Sequence, residues 1–185
     1  MTTRQRDWPR QWLMTDERLG ARLWEAIDRL AEGESGIVFR HYATADEERA
    51  SLAAKVADRC RSRRLTLAVA RNEQLAVSVG ADLIHNPSEI PKDLPHSCAV
   101  HSLEEADKAR TSSAALVFVS PVYPTRSHPG QAALGVDLAG RIAIAAGVPA
   151  IALGGMDAQK FAHLESECFY GWAGIDAWLG DALRT

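Results

Sequence analysis

Eight short apolar runs, separated by stretches with helical spacing, constrain the fold of this chain more than any other feature of its sequence. In the first connecting stretch, a leucine or isoleucine recurs every three or four residues from Leu19 to Leu30, which is typical of an amphipathic helix. The pattern predicts strands over residues 12–15, 36–40, 65–69, 81–85, 97–100, 115–119, 148–153 and 168–172. Strands that alternate with helices indicate βα units and a parallel sheet.

The number of βα units indicates how the sheet closes. Eight parallel strands form a (β/α)8 TIM barrel, and a chain of 185 residues is short for one, so its connections must be short. No break in composition divides the chain, which predicts a single domain over residues 1–185. An open, doubly wound sheet is the alternative, but no Gly-x-Gly-x-x-Gly motif follows the first strand. We therefore expect an α/β fold with one compact TIM barrel.

Polar residues before three of the predicted helices are candidate N-caps. Thr44, with Glu47 three residues later, matches a capping box. Asn72 and Ser102 precede the helices after the third and fifth strands, and both residue types are favoured at N-caps. A last helix is expected over residues 175–183.

Charge and apolar content argue against several classes of function. A net charge of −3 with few lysines argues against a nucleic-acid-binding protein, which needs a basic face to neutralise phosphates. No apolar run approaches the roughly 18 residues of a membrane span, and no apolar segment follows the charged N-terminus. We therefore expect no membrane partner and no secretory signal. Three separated cysteines without a Cys-x-x-Cys motif imply neither disulfides nor a zinc site, and they fit a cytoplasmic protein: Cys60, Cys98 and Cys168.

A pair of glycines follows the seventh predicted strand, at the carboxyl end where barrels carry their functional residues. The backbone N–H groups of Gly154 and Gly155 would meet an anion at the start of a helix, and phosphate commonly binds barrels after strands seven and eight. The turn at Ile175 and Asp176 would complete this site, with the Asp176 carboxylate pointing outward or capping the last helix. The alternative is that both glycines only form a tight turn.

A second candidate segment follows the sixth strand. Residues 120–130 are too long and too rich in proline and hydroxyl groups for a simple connection. Thr125, Ser127 and His128 are closely spaced donors for an anionic or heteroaromatic ligand. An ordinary surface loop is the alternative.

The other histidines have simpler interpretations. His85 and His101 lie near strand ends, where we expect them to form structural hydrogen bonds. His96 and His163 are expected at the surface.

Five segments, in this order along the chain, resemble the thiamine phosphate synthase/TenI superfamily of (β/α)8 barrels. Residues 12–18 resemble its opening strand and turn, and residues 100–106 resemble its fifth strand and following helix. Val-Gly-Ala-Asp-Leu-Ile-His at residues 79–85 is similar to its Val-Gly-Ala-Asp-Gly-Val-His. Ser-Pro-Val-Tyr-Pro-Thr at residues 120–125 is similar to its Gly-Pro-Ile-Phe-Pro-Thr, and Ile-Ala-Leu-Gly-Gly-Met at residues 151–156 to its Ala-Ile-Gly-Gly-Ile. The resemblance covers essentially the whole chain.

The resemblance implies two ligand sites, and the residues of the diphosphate site are largely absent. The synthase of this family joins a pyrimidine diphosphate to a thiazole phosphate with the help of Mg²⁺. Of its strand-two Gln-x-Arg-x-Lys set only Arg40 remains, between Val38 and Tyr42. Its magnesium-binding aspartate after strand three corresponds to Ala70, and its strand-five serine to Ala99. Since Mg²⁺ prefers carboxylate and phosphate oxygens, we expect no metal cofactor.

The thiazole-phosphate site is better retained. The corresponding positions of this chain are Thr125, Ser127, His128, Gly154, Gly155, Ile175 and Asp176, with histidine in place of the family's lysine. TenI-type members aromatise the thiazole ring by tautomerisation, and their catalytic histidine corresponds to Pro121.

These features favour a diverged TenI-like protein that binds a thiazole phosphate, or a similar small phosphate ester, and transfers a proton. His128 is the first candidate acid or base, because the ordinary pKa of histidine is about 6.5, and His101 is the second. One alternative is a thiamine phosphate synthase with a rewired diphosphate site, which alone would call for Mg²⁺. Another is a non-catalytic carrier or sensor of thiazole phosphate. A homo-oligomer is compatible with each of them.

Overall fold

The chain folds into a closed barrel of eight parallel strands, each paired with its neighbours in chain order. The structure is a computed structural model that describes residues 7–125, 132–164 and 168–179. The barrel closes where β8 pairs with β1, with Gln11 opposite Trp172. The TIM-barrel prediction is therefore confirmed, and the open-sheet alternative is wrong. The strands are β1 (Gln11–Met14), β2 (Ser35–Phe39), β3 (Thr66–Ala70), β4 (Leu83–His85), β5 (His96–Val100), β6 (Leu116–Val119), β7 (Ala150–Ala152) and β8 (Gly171–Gly174).

Helices connect successive strands, except between β4 and β5. Three prolines at positions 87, 91 and 95 lie in that connection, and proline disrupts a helix interior. No helix within the described ranges is long and apolar enough to span a membrane. The helices are α1 (Leu23–Asp28), α2 (Asp46–Ser62), α3 (Glu73–Ser78), α4 (Leu103–Thr111), α5 (Val136–Ala146) and α6 (Ala158–His163), with 3-10 helices at Glu17–Arg22 and Asp176–Trp178.

Large side chains fill the barrel interior. Trp12 on β1 is fully buried, and its ring lies edge-to-face with that of Phe118 on β6, at 5.6 Å between centroids. Gly36 lies opposite Trp12 on β2, where a Cβ atom would come within 2.4 Å of the indole ring. Glycine at this position is therefore what allows the Trp12 ring to pack across β2. The packed interior leaves the carboxyl-terminal mouth of the barrel as the place for a site.

Three predicted elements differ in the structure. The helix expected over residues 19–30 is interrupted at Gly20, whose φ of 48° and ψ of −131° are not helical, so a 3-10 helix precedes α1. The eighth strand begins at Gly171 rather than at residue 168, because the chain pairs with β7 only from that glycine onward. Two glycines in β8 weaken its strand propensity, which explains the wrong position. The last predicted helix is a short 3-10 helix, since Leu179 is extended, and residues 180–183 lie outside the described residues.

One capping prediction is wrong and two are confirmed. Thr44 does not cap α2, because its hydroxyl donates to the Glu17 carboxylate at 3.2 Å and the N-cap is the following residue. The Asn72 and Ser102 side chains accept hydrogen bonds from backbone N–H groups three residues later, at 2.8 and 3.2 Å. These two residues therefore begin α3 and α4 as the sequence indicated.

Candidate functional site

The closed barrel brings residues that are distant in sequence to one face. Arg40 directly follows β2, Thr125 lies in the segment after β6, and Gly154 lies in the turn after β7. Because all eight strands are parallel, their carboxyl ends meet at the same mouth. Two of the predicted site residues, Ser127 and His128, lie outside the described residues.

An ion-paired cluster forms the side of the mouth next to β1 and β2. One carboxylate oxygen of Asp16 lies 2.7 Å from Nη2 of Arg18 and 3.2 Å from Nη2 of Arg40. Arg40 also donates from Nε to the backbone oxygen of Thr15 at 2.9 Å. Two guanidinium groups thus share one carboxylate.

Two further arginines extend this positive side to β3. Arg49 belongs to α2 but is buried, and its Nη2 donates to the backbone oxygens of Arg40 and Ala70, at 3.2 and 2.8 Å. Arg71 follows β3, and its guanidinium carbon lies 4.4 Å from the centre of the Tyr42 ring. We call this region the arginine half of the mouth, which comprises Arg18, Arg40, Arg49 and Arg71.

Burial and neighbouring charges act on these arginines in opposite directions. Desolvation lowers the pKa of Arg40, although the nearby Asp16 carboxylate opposes this shift. The guanidinium stays charged, because its ordinary pKa is above about 12. On Arg18, the hydrogen bond to Asp16 raises the pKa, and Asp176 adds a smaller electrostatic contribution. The exposed Asp176 carboxylate therefore acts on the arginine half, and it does not cap the last 3-10 helix.

The arginine half does not offer the donor set of a magnesium site. Mg²⁺ is held by carboxylate and phosphate oxygens, but the Asp16 carboxylate is already engaged by two arginines. The position expected to supply an aspartate after β3 is Ala70. In the part of the chain that the structure describes, no three His, Cys, Asp or Glu side chains are grouped so that they could hold a metal ion. These residues therefore do not fit a bound Mg²⁺.

The turn after β7 is fixed by close backbone contact with the segment after β6. Gly154 and Gly155 have φ angles of 95° and 62°, which favour glycine. A Cβ atom on Gly154 would lie 2.7 Å from Cα of Pro121, and one on Gly155 would lie 2.6 Å from the backbone oxygen of Pro124. Tyr123 donates its N–H to the Gly154 oxygen at 3.1 Å. The positive φ angles and the close contacts therefore explain why both positions of this tight turn are glycine.

Two backbone N–H groups, one in this turn and one after β8, have no acceptor among the described residues. Within residues 7–125, 132–164 and 168–179, the N–H groups of Gly155 and Ile175 donate to no protein acceptor. Both lie at the mouth, one in the turn after β7 and the other directly after β8. Unpaired N–H groups at fixed positions are suitable donors for a phosphate oxygen, so packing and anion binding are compatible roles for this turn.

Charged side chains beside the turn change the expected role of the following helix. α6 has only six residues, and its N-cap Asp157 already accepts the backbone N–H of Lys160 at 2.8 Å. The start of this helix is therefore not available to an anion in the way that the sequence indicated. Lys160 lies with Nζ 2.5 Å from the Gly155 backbone oxygen and 5.6 Å from the centre of the Tyr123 ring. We call Gly154, Gly155, Lys160 and Ile175 the glycine half of the mouth.

Two of the histidines form the hydrogen bonds that the sequence predicted, and a third is buried where it was expected at the surface. His101 is half-exposed, and its Nδ1 lies 2.9 Å from Oε2 of Glu105, at the start of α4. His85 is buried, with Nδ1 3.0 Å from Oγ of Ser97, so both histidines form the structural hydrogen bonds that were expected. His96 is buried rather than at the surface, because it is the first residue of β5 and the Ser112 hydroxyl covers its Nε2 at 3.1 Å.

Sequence reasoning missed two residues of the mouth, Arg49 and Lys160, and the ion pair that Asp16 forms with Arg40. Arg49 is a buried arginine on the inward face of α2, and its isolation among alanines and valines there was a usable signal. Asp16 and Lys160 carry no such signal, because Arg40, which pairs with Asp16, and Tyr123, whose ring lies near Lys160, are distant from them in sequence.

The fold of this chain is similar to that of a solved protein structure. It superposes on the thiamine phosphate pyrophosphorylase from Pyrococcus furiosus with a TM-score of 0.78 over 91% of this chain and 86% of that one, at 21% sequence identity. At this identity, the likeness supports the fold alone.

Sequence comparison adds the family. The chain is 27% identical over 182 residues to "Putative thiamine-phosphate synthase 2" of Aquifex aeolicus, a match that covers 92% of this chain and 98% of that protein. It is 24% identical over 164 residues to the thiamine-phosphate synthase of Prochlorococcus marinus, covering 82% of this chain but only 46% of that protein. The family model described as thiamine monophosphate synthase, TMP-TENI, matches residues 12–177. The chain therefore belongs to the thiamine monophosphate synthase/TenI family.

Proposed function

We propose that the mouth binds a thiazole phosphate, or a similar small phosphate ester of thiamine metabolism, with its phosphate at the glycine half. The observation that supports this most strongly is the N–H of Gly155, which has no acceptor among the described residues and lies in a turn that contacts with Pro121 and Pro124 hold in place. Lys160 brings a positive charge to the same turn. A donor that is already fixed loses little conformational entropy when the ligand binds.

We further propose that the reaction is an isomerase-type proton transfer. Such a reaction needs one acid or base and no metal, and the described residues do not form a magnesium site. His128 follows Thr125 in the segment after β6 and remains the first candidate for this role, with His101 as the second. The hydrogen bond between His101 and Glu105 would have to break, or shift, for His101 to act on a ligand.

A thiamine phosphate synthase is the second candidate function. The guanidinium groups of the arginine half favour it, because a pyrimidine diphosphate carries several negative charges. The names of the relatives in Aquifex and Prochlorococcus point in the same direction. In this case the diphosphate would displace the Asp16 carboxylate from Arg40, since both need the same guanidinium.

One set of assays on the purified full chain separates these functions. Isothermal titration with thiazole phosphate should show binding, and the non-aromatic thiazole tautomer should be converted to the aromatic ring. No thiamine phosphate should form from pyrimidine diphosphate and thiazole phosphate with Mg²⁺. Formation of thiamine phosphate would establish the synthase, whereas binding without turnover of either kind would establish a carrier or sensor.

The acid–base role is tested by His128→Ala, with the exposed His163→Ala as a matched control. If His128 transfers the proton, its variant should lose at least about a hundredfold in kcat while still binding thiazole phosphate. Equal activity in both variants would remove His128 from the mechanism.

A further inference from the structure

A buried histidine lies on the floor of the mouth, apart from the proposed phosphate site. His85 is the last residue of β4 and is only 2% exposed. Its ring lies edge-to-face with Phe118, at 5.2 Å between centroids, and its Nδ1 lies 3.0 Å from Oγ of Ser97 on β5. Since Phe118 also contacts Trp12, these contacts hold the imidazole inside the barrel rather than against the helices.

The second ring nitrogen of His85 remains available. Nε2 has no hydrogen-bond partner among the described residues. Within the described ranges, Ser35 Oγ is the one buried side-chain polar atom that lacks both a partner and contact with solvent. Nε2 of His85 is not such an atom, so it keeps a small contact with solvent, and β4 ends at His85, next to the mouth.

The surroundings keep this imidazole uncharged. Desolvation, with smaller contributions from Arg40 and Arg71, lowers the pKa of His85 to about 3. A neutral imidazole that is hydrogen-bonded at one nitrogen presents a single defined donor or acceptor at the other. The neutral imidazole of His85 thus supplies an uncharged polar group to the floor of the mouth, between the arginine half and the glycine half.

We propose that His85 and Ser97 form a recognition pair for the ring nitrogen of a heterocycle bound in the mouth. In this pair His85 contacts the ligand, and Ser97 is a positioning residue that fixes the orientation of the imidazole. The proposal rests on the proposed function, since a heterocycle whose phosphate is held at Gly155 would extend over the floor between β4 and β6. A neutral group favours an uncharged heteroaromatic ring here, because an anion would be better placed against the arginines.

The experiment compares two ligands that differ in one atom. Thiazole phosphate and the matching thiophene phosphate, in which CH replaces the ring nitrogen, are titrated into the wild-type protein and into His85→Leu by calorimetry. Wild type should prefer the thiazole by about tenfold or more, because the thiophene leaves Nε2 desolvated and unpaired. His85→Leu should bind both ligands equally, and His85→Gln, whose amide can reach the same position, should restore part of the preference.

A second buried histidine provides the matched control. His96 pairs with the Ser112 hydroxyl at 3.1 Å in the same way, but it lies at the amino end of β5, away from the mouth. His96→Leu should therefore keep the wild-type preference for thiazole. An unchanged preference in His85→Leu would overturn the recognition pair while the phosphate site stands, whereas failure of the wild type to bind either ligand would overturn the proposed function itself.

A measurement on the wild type decides the matter if His85→Leu does not fold. The ¹⁵N resonance of His85 Nε2 should shift on addition of thiazole phosphate and much less on addition of thiophene phosphate. Equal shifts with both ligands would contradict the proposal. Ser97→Ala should weaken the thiazole preference without abolishing phosphate binding, and a preference equal to that of the wild type would deny Ser97 its positioning role.

Discussion

The arginine half and the glycine half of the mouth present positive potential in different ways. In the arginine half, the charges lie on long side chains that already have partners, such as Asp16 for Arg40 and the Tyr42 ring for Arg71. In the glycine half, the donors belong to backbone that is fixed by contact with the segment after β6. The difference suggests that a ligand phosphate binds where donors are unpaired and already in place, rather than where formal charge is greatest.

The largest expected effect comes from blocking the glycine half. Gly155→Asp adds a negative charge and a Cβ atom at the proposed phosphate position, so we expect thiazole phosphate to bind at least about a hundredfold more weakly. Calorimetric titration measures this change. Unaltered affinity would mean that the phosphate binds elsewhere.

The control for this variant is Gly33→Asp. Gly33 also has a positive φ, of 74°, but a Cβ atom there would meet no other atom within 4 Å. It should reproduce the added charge and the backbone strain without any loss of affinity. If contact with Pro124 prevents Gly155→Asp from folding, Lys160→Ala is the second test, with an expected loss of about fivefold for one partly exposed charge.

The neutral His85 side chain, which lies between the two halves, should make the free energy of unfolding fall in acid. The folded pKa of His85, about 3, lies below the ordinary value of about 6.5, so the unfolded chain binds the proton first as the pH falls. Stability contributed by the neutral ring is therefore present above about pH 6.5 and is lost below it. Between pH 7 and 5, the free energy of unfolding should fall by about 2 kcal/mol more in the wild type than in His85→Gln.

Urea unfolding at the two pH values tests this difference. His41 and His96, whose pKa values are also lowered by desolvation, are present in both proteins, so their contributions cancel. Equal losses of stability would show that His85 is not held neutral by burial.

Removing the Asp16 carboxylate should make the guanidinium groups of the arginine half available to an anionic ligand. Asp16→Asn removes the carboxylate that Arg18 and Arg40 share while keeping its shape. We expect pyrimidine diphosphate to bind about tenfold more tightly to this variant, because charge-assisted contacts become available. Asp58→Asn, which removes an exposed partner of Arg61 on α2, is the matched control and should change nothing. No gain in Asp16→Asn would mean that the arginines have only a structural role.

The smallest expected effect is that of magnesium. Because Asp16 is engaged and Ala70 has no carboxylate, Mg²⁺ should change the affinity for pyrimidine diphosphate by less than about twofold. Calorimetry with and without Mg²⁺ measures this. Tight, magnesium-dependent binding would instead favour the synthase. The metal role would then fall to Asp16, or to Glu89 or Asp93, two carboxylates in the connection between β4 and β5.

The sequence predicted the barrel because its signals are local and repeated. Alternating apolar runs, and N-cap residues such as Asn72 and Ser102, act within a few positions of the chain. The same local signals failed at Gly20, where one residue interrupts a periodic helix, and in β8, where glycines hide a strand that its neighbours impose. In these places tertiary pairing outweighs local propensity.

The candidate site was predicted only in part, for the same reason. Arg40, Gly154 and Gly155 follow strand ends, so the topology placed them at the mouth. Asp16 meets Arg40, and Lys160 meets the Tyr123 ring, through contacts between residues distant in sequence that no local pattern encodes. The ion pair between Arg40 and Asp16 changes what Arg40 can bind, and it could be recognised only from the structure.

We propose that ligand phosphate binds at the glycine half of the mouth. A crystal structure of the protein with thiazole phosphate tests it most directly. We expect a phosphate oxygen about 3 Å from the Gly155 backbone nitrogen, with the Lys160 ammonium turned towards it and the Asp16–Arg40 ion pair intact. A phosphate held instead by Arg18 and Arg40, with Asp16 displaced, would contradict the claim.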